Sequence, residues 1–289
     1  MLLEPELRAR LERLALHSNR RVRGMWTGGH ASLRRGESLD FADYREYTLG
    51  DDFRRIDHSL WARLGVVLVR LFEAEDEMPV RLVLDRSASM GFGSKFEVAR
   101  KLAGVIAYLA LVGGDRVYPY ATPGVDGRAF LPAAPIRHVG GWPQLERWLE
   151  NLEPTGTDRL IETARSIAGQ GAVRGPTVVI SDLMARDWEA ILDRLGLGNG
   201  GAVLHVLSPD ELDPDLSGDL RLVDAETGAT SDVSTSPETM ATYRAVVDRF
   251  IEDAAGRARR RGLEHVLVPA TPDAVERTLA TLATRQVVR

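Results

Sequence analysis

The run Val80-Arg81-Leu82-Val83-Leu84, followed by Asp85, Ser87 and Ser89, constrains the fold more than any other stretch. A short apolar run of this kind suits a parallel strand buried on both faces. Its carboxylate and two hydroxyls stand at alternate positions, and residues two apart in an extended or gently turning segment point the same way. Asp85, Ser87 and Ser89 can therefore converge on one small, hard cation. Gly91 and Gly93 let the chain turn, and Ser94 with Glu97 predicts a capping box for the helix that follows. A strand, a polar loop at its carboxyl end and then a helix mark the place where open α/β sheets keep their ligand sites.

The rest of the chain extends that pattern. Val66 to Phe72 reads as a strand and, as an antiparallel neighbour of Val80 to Leu84, would put an edge strand beside the parallel sheet. A helix over 94–112 has a broad apolar face. Strands are predicted from Asp115 to Tyr120 and from Pro176 to Ile180, the second ending in Ser181-Asp182, and another at 201–207. A short extra strand is expected at Phe130 and Leu131. Helices at 142–150, 159–168 and 187–195 alternate with these strands. Strand 220–223, a long helix over 236–260, strand 265–268 and a last helix follow. On the long helix Tyr243, Val246, Val247, Phe250, Ile251 and Ala254 form the expected inner face. Such alternation predicts an α/β fold with a doubly wound, mostly parallel sheet flanked by helices in three layers, of the Rossmann type. The division is an N-terminal helix and charged elaboration over 1–65, then the α/β domain with a C-terminal extension over 66–289.

Composition excludes several classes of function. A formal charge of -5 speaks against nucleic acid and anionic membrane as partners, since both need a concentrated basic face. The chain has no cysteine, which removes disulfides, thiolate metal sites and cysteine nucleophiles. The opening Met-Leu-Leu-Glu-Pro-Glu-Leu carries acids where a signal peptide needs bases and then an apolar run. No stretch approaches the ~20 apolar residues of a membrane span, so no integral membrane segment and a cytoplasmic location are expected.

Residues 3–17, with Leu7, Leu11, Leu14 and Leu16, suit a helix packed by one face. From Asn19 to Arg63 glycines, charges and aromatics alternate with little clean periodicity. Arg45, Asp51, Asp52, Arg54, Arg55, Asp57 and Arg63 belong to this segment. Arginine forks and carboxylates at such density form networks that order a segment without regular structure. Two readings stand side by side: a partner-facing docking surface, or a long connection pinned by ion pairs. His30 and His58 sit in no metal-ligand spacing.

Hard oxygen ligands stand at three strand or loop ends: Asp85, Ser87 and Ser89; Thr157; and Asp182. A parallel sheet puts such ends on one edge, where five oxygens would hold Mg²⁺ or Mn²⁺ with water in the remaining positions. Hydroxyls leave the cation partly unneutralised, so an outside carboxylate can complete its shell. The alternative for Ser87, Ser89 and Thr157 is ordinary turn and cap chemistry.

Asp85-Arg86-Ser87-Ala88-Ser89 resembles the metal-ion-dependent adhesion motif of von Willebrand A domains, with Thr157 and Asp182 at the places of the second- and third-loop ligands. More specifically, the chain resembles a bacterial domain-of-unknown-function family, the one numbered fifty-eight, whose genes often lie beside those of MoxR-type AAA+ ATPases. The resemblance rests on Asp40-Phe41, Arg45-Glu46-Tyr47, Gly50-Asp51-Asp52, Arg54-Arg55-Ile56-Asp57, Ala62-Arg63, the Asp85 motif and Ser181-Asp182, and spans nearly the whole chain. His58 departs from it, standing where the family usually has tryptophan. The resemblance implies a von Willebrand A-like fold and a metal-dependent interaction module, an adaptor of a MoxR-type ATPase or a recruiter of its clients.

The rivals are a metal-dependent hydrolase and a structural oligomerisation subunit in which the cation is incidental. An aspartate ending a first strand is shared with phosphoryl-transfer hydrolases, but the second acid they need two residues later is Ser87 here. No Gly-x-x-x-x-Gly-Lys loop, Gly-x-Ser-x-Gly elbow or His-Glu-x-x-His helix occurs, and no catalytic constellation is predicted.

Overall fold

The computed structural model describes residues 1–18, 41–48, 51, 53, 56–72, 77–169, 175–196 and 200–284. They divide into two compact units, one comprising Met1–Gly28 and Met78–Arg289, the other Gly29–Glu77. The opening helix, α1 (Pro5–Ser18), belongs to the larger unit and 66–77 to the smaller, a grouping different from 1–65 and 66–289.

In the smaller unit β1 (Phe41–Glu46) and β2 (Leu68–Phe72) form an antiparallel pair, and α2 (His58–Leu64) lies between them in the chain. This corrects two expectations. Regular structure does occur in the charged segment; β1, with acid and base inside six residues, simply lacks an apolar period to announce it. The partner of Leu68–Phe72 is β1 and not the strand starting at Pro79, because that strand is already paired along both its edges.

The larger unit continues with β3 (Pro79–Asp85), α3 (Lys95–Val112), β4 (Arg116–Thr122), β5 (Leu131–Pro132), α4 (Trp142–Glu150), α5 (Leu160–Gly169) and β6 (Thr177–Ser181). After these come α6 (Trp188–Leu195), β7 (Gly201–Leu207), α7 (Pro209–Leu212), the hairpin β8 (Gly218–Val223) and β9 (Thr230–Thr235), α8 (Pro237–Arg260), β10 (Leu263–Pro269) and α9 (Ala274–Thr284). Six strands make one sheet in the order β10-β7-β6-β3-β4-β5. All its pairings are parallel except β4 with β5, so the antiparallel edge is Leu131–Pro132.

Alternate residues of the buried strands feed the two faces of the sheet. Leu82 and Leu84 of β3, Val178 and Ile180 of β6 and Leu204 of β7 pack with α3, α4, α9 and the N-terminal segment, where Leu3 before α1 and Leu11 within it are fully covered. Val83, Val179 and Val203 face the other way, into a second cluster with α5, α6 and α8. The sheet is thus doubly wound, as the alternation predicts. Crossovers run from β3 through α3 to β4 on one side and from β6 through α6 to β7 on the other. The crevice beyond the carboxyl ends of β3 and β6 is where the winding reverses, the preferred ligand position of such sheets. Close packing at the opposite edge depends on Gly201, with φ of +149°, where a Cβ would meet the Thr177 carbonyl at 2.0 Å.

Two expectations fail on the helices. Ser94 makes no side-chain cap on α3; its Oγ donates to the Ala270 carbonyl at the end of β10, 2.8 Å away, an acceptor supplied by tertiary structure. The inner face of α8 is only partly inside: Ala254 and Ala258 are buried, but Val246 is 61% exposed. At 24 residues this helix runs about 36 Å, whereas a seven-residue strand spans about 23 Å, so its first half overhangs the sheet.

His205, fully buried in β7, donates from Nε2 to the Asp182 carbonyl at 2.9 Å, and its Nδ1 accepts from His265 Nε2 of β10 at 3.1 Å. A carbonyl only accepts, which fixes the neutral tautomer. Burial, and then His265, push the imidazole down to about 3. An unfolded histidine takes its proton near 6.5, so between about pH 6.5 and 3 the unfolded state binds the extra proton and folding stability falls as pH falls. Unfolding free energies from urea titration across that interval should decline toward acid, by on the order of 5 kcal/mol in total from this group. In His205→Gln the decline should be shallower; an equal slope would assign the acid lability elsewhere.

Candidate functional site

At the end of β3 the chain leaves the sheet through Asp85, whose side chain is 1% exposed. Asp85 Oδ1 accepts the Ser87 N–H at 2.9 Å, a local turn closed by the carboxylate itself. Asp85 Oδ2 accepts the Ser181 hydroxyl at 2.6 Å, a bond that crosses the switch point from β6. Ser181 Oγ in turn accepts the Leu183 N–H at 2.9 Å. Leu183 has φ of +53°, a left-handed conformation in a bulky residue directly after Asp182.

The loop before α5 is bound to the loop after β3 by two backbone hydrogen bonds: Thr155 N–H donates to Arg86 O at 2.7 Å, and Ala88 N–H donates to Gly156 O at 2.9 Å. Thr157 follows directly and is exposed. The loops carrying Asp85, Ser87 and Ser89, Thr157, and Asp182 therefore share one edge. Ser87 is buried, Ser89 half-buried, and their hydroxyl oxygens lie 3.1 Å apart.

The electrostatics single out Asp85. Burial raises its carboxyl to about 8, and Asp182 and then Asp158 push in the same direction against the two hydrogen bonds. Asp158, next to Thr157, is raised to about 6, chiefly by burial, with Glu226, Asp182 and Asp187 adding to it. Asp182 is answered differently. Its Oδ2 accepts from Lys95 Nζ at 2.8 Å and its Oδ1 from the Met184 N–H at 3.1 Å. Lys95 Nζ also donates to Glu211 Oε1 at 2.6 Å, and the lysine is fully buried. Glu211 Oε2 closes the capping box of α7 on the Ser208 N–H at 2.7 Å.

Sequence reasoning did not find Lys95, Asp158, Glu211 or Glu226. The available signal was rarity: Lys95 is one of two lysines among 37 basic residues and stands at the first turn of the helix after the metal-motif loop. Nothing local in the sequence marks Glu211, whose partner lies 116 residues away.

Among the described residues no group of three or more His, Asp and Glu side chains is arranged to hold a metal ion. The predicted set is of another kind, two carboxylates with three hydroxyls, and two of its features bear on a small divalent cation. Neighbouring corners of an octahedron with metal–oxygen distances of about 2.1 Å are about 3.0 Å apart, close to the spacing of Ser87 Oγ and Ser89 Oγ. Asp85 is a buried carboxylate whose two oxygens meet neutral donors and whose acidic surroundings call for positive charge. Each Asp182 oxygen, already engaged, keeps further acceptor capacity.

The charged-segment residues sit in the smaller unit. Asp52, Arg54 and Arg55 lie outside the described residues, as does Asp40. Arg45 stands opposite Val69 in the β1–β2 ladder. Asp51 Oδ2 accepts from the Thr48 N–H and hydroxyl at 2.9 and 3.0 Å, closing a turn. Asp57, which the docking reading puts on a partner-facing surface, is buried: it caps α2 through the Ser59 and Leu60 N–H groups and accepts the Tyr44 hydroxyl at 2.9 Å. Its position before a helix decides this, since an N-cap carboxylate satisfies two otherwise orphaned donors. Arg63 is exposed in the last turn of α2. No described helix is long and apolar enough to cross a membrane.

Comparison with known proteins gives a family and distant structural likenesses. The sequence model of the family described as "Protein of unknown function DUF58" matches residues 43–250. The chain is 29% identical over 269 residues to Uncharacterized protein Rv1480 of Mycobacterium tuberculosis and, equally, to Uncharacterized protein Mb1516 of Mycobacterium bovis, covering 86% of this chain and 82% of each relative. Among solved structures it is similar to conserved hypothetical protein BatB from Bacteroides thetaiotaomicron, at 17% identity and a TM-score of 0.43 over 72% of this chain and 99% of that one. An aerotolerance-related membrane protein from Bacteroides fragilis follows, at 19% identity and a TM-score of 0.40 over the same shares.

Lys95→Met should be strongly destabilising, because it leaves Asp182 and Glu211 without their shared ammonium. Removing one partner of a buried ion pair costs about 3–5 kcal/mol, to be read from urea unfolding. A loss below about 1 kcal/mol would show that water already screens the pair.

Proposed function

The chain belongs to the DUF58 family, and on that premise we propose that it is a divalent-cation-dependent protein-interaction module. Asp85, Ser87, Ser89, Thr157 and Asp182 would hold Mg²⁺ or Mn²⁺. The bound cation supplies a Lewis-acidic position that a carboxylate of another protein can occupy. The chain's own residues do the rest: Asp85 contributes the principal anionic ligand, the serine and threonine hydroxyls leave the cation underneutralised, and Lys95 limits the negative charge that Asp182 brings to the site.

One observation carries this reading. Asp85 is a fully enclosed carboxylate at the switch point, held by neutral donors amid other acids. A buried acid in that setting is either protonated or matched by a cation. Family resemblance suggests the partner: a MoxR-type AAA+ ATPase or one of its clients. The charged segment of the smaller unit, where Arg63 is exposed, is the second candidate for docking. In this reading the chain binds without catalysing, works in the cytoplasm, and contacts neither nucleic acid nor lipid.

Calorimetric titration of the full chain with Mg²⁺ or Mn²⁺ should show one site, lost in Asp85→Ala. A partner captured from lysate by the wild type should be released by EDTA and should fail to bind the variant. Undiminished cation binding by Asp85→Ala would remove the site from these residues. Cation binding with partner capture indifferent to EDTA would favour the incidental-cation alternative.

A further inference from the structure

The hairpin β8–β9 contributes little to the core. Its strands are exposed along most of their length and are tied to each other by the Arg221–Asp232 ion pair, with 69% and 71% of those side chains exposed. Its turn runs from Asp224 to Ala229, and every residue there is exposed except Glu226. Glu226 Oε2 accepts the backbone N–H of Asp158 at 3.1 Å. The hairpin therefore meets the loop beside Thr157 through one carboxylate at its tip.

That carboxylate is presented, not left to wander. Asp224 Oδ1 accepts the Glu226 N–H at 3.0 Å, the Thr227 N–H at 2.7 Å and the Thr227 hydroxyl at 2.7 Å. The turn is closed by Asp224 N–H to Ala229 O at 2.8 Å and Gly228 N–H to Asp224 O at 2.9 Å. A side chain held on a prebuilt turn reaches its target with little ordering cost. The Asp158 N–H is nevertheless a modest reason to bring an anion to this place. Partial burial raises the Glu226 carboxyl, and Asp182 and Asp224 add to the rise. A negative charge has been directed toward Asp158 and Asp182, two acids that repel it.

We propose that Glu226 is a resident ligand of the candidate cation site, delivering from within the chain the carboxylate that a partner protein would otherwise supply. The inference rests on the cation-dependent reading above. Under it the repulsion disappears, since the hairpin tip faces a cation that the hydroxyl ligands leave underneutralised. Partner binding then proceeds by exchange: an incoming carboxylate replaces Glu226, and the hairpin tip lifts from the loop beside Asp158. Little core is disturbed, because the strands behind the tip are already exposed. The device also sets specificity, as only a partner that outcompetes a tethered carboxylate gains the site.

The test uses the full chain with Mn²⁺ alone as probe, reading affinity and the number of exchangeable metal-bound waters by water-proton relaxation. Glu226→Ala should bind Mn²⁺ about tenfold more weakly and carry one additional water, an affinity loss of the size seen when a metal's supporting groups are removed. Acetate, standing in for a partner carboxylate, should displace that water from the variant at a concentration about tenfold lower than wild type requires. Glu226→Gln keeps an acceptor for the Asp158 N–H, so a shift in the same direction in this variant assigns the effect to the carboxylate charge. Mn²⁺ bound with unchanged hydration in both variants would overturn the inference alone, leaving Glu226 a structural acceptor. Absence of Mn²⁺ binding by wild type would overturn the cation-dependent reading and this inference with it.

Discussion

A carboxylate taken out of water must be matched by positive charge or surrender its ionisation, and the crevice between β3 and β6 contains two such groups at the ends of those strands. The molecule treats them differently. Asp182 is matched from inside by Lys95, which reaches it from the first turn of α3 and shares its ammonium with Glu211 of α7. Among the described residues, Asp85 receives a serine hydroxyl and a backbone N–H. The lysine thus ties together the loop after β6, the start of α3 and the turn after β7, while the charge demand of Asp85 stays open toward the loop edge. The hydroxyl pair stands on the loop after β3, the loop before α5 is bound to that loop, and the hairpin tip meets the loop before α5.

How far this was legible in the sequence depended on whether the signal was local. Val80–Leu84 and Thr177–Ile180 announce buried strands by composition alone, and the acids ending them sit where a parallel sheet must bring them together. The Ser181–Asp85 bond joins the two strand ends at 2.6 Å. Long-range choices were less visible. Leu68–Phe72 carries a good strand pattern, but its partner was decided by which edges of β3 were already taken. Ser94 carries a good cap pattern, but the Ala270 carbonyl, 176 residues away, claims its hydroxyl. Lys95 and Glu211 form no motif, because an ion pair between distant elements leaves no spacing to read. On α8 the apolar period marks a face but not its burial, since period says nothing about how much sheet lies beneath it.

The charged segment shows a different ambiguity. Acids and bases at high density suit a docking surface and an internal network equally well, and single residues fall on opposite sides of that line. Asp57 is spent inside its unit as a helix cap and as acceptor for Tyr44, whereas Arg63 emerges at the helix end. Capping chemistry gives the discriminating rule. An acid immediately before a helix is claimed by backbone donors, and a base in the last turn is favoured there by the helix dipole while its head stays in water.

Leu183 ties the loop after β6 to the core. Its backbone adopts a left-handed conformation that glycine would accept freely and that costs a leucine on the order of 1 kcal/mol. Its side chain is 1% exposed, seated among Val179, Ile191 and the rest of the second core cluster. Glycine would relax the backbone and leave a hole; a β-branched residue would fill the hole and tighten the strain. The position is therefore answerable to two masters at once, the loop that aims Asp182 and the layer of helices beneath the sheet. Neutral change in the core of this protein is for that reason not independent of its binding edge, and the two must vary together or hardly at all.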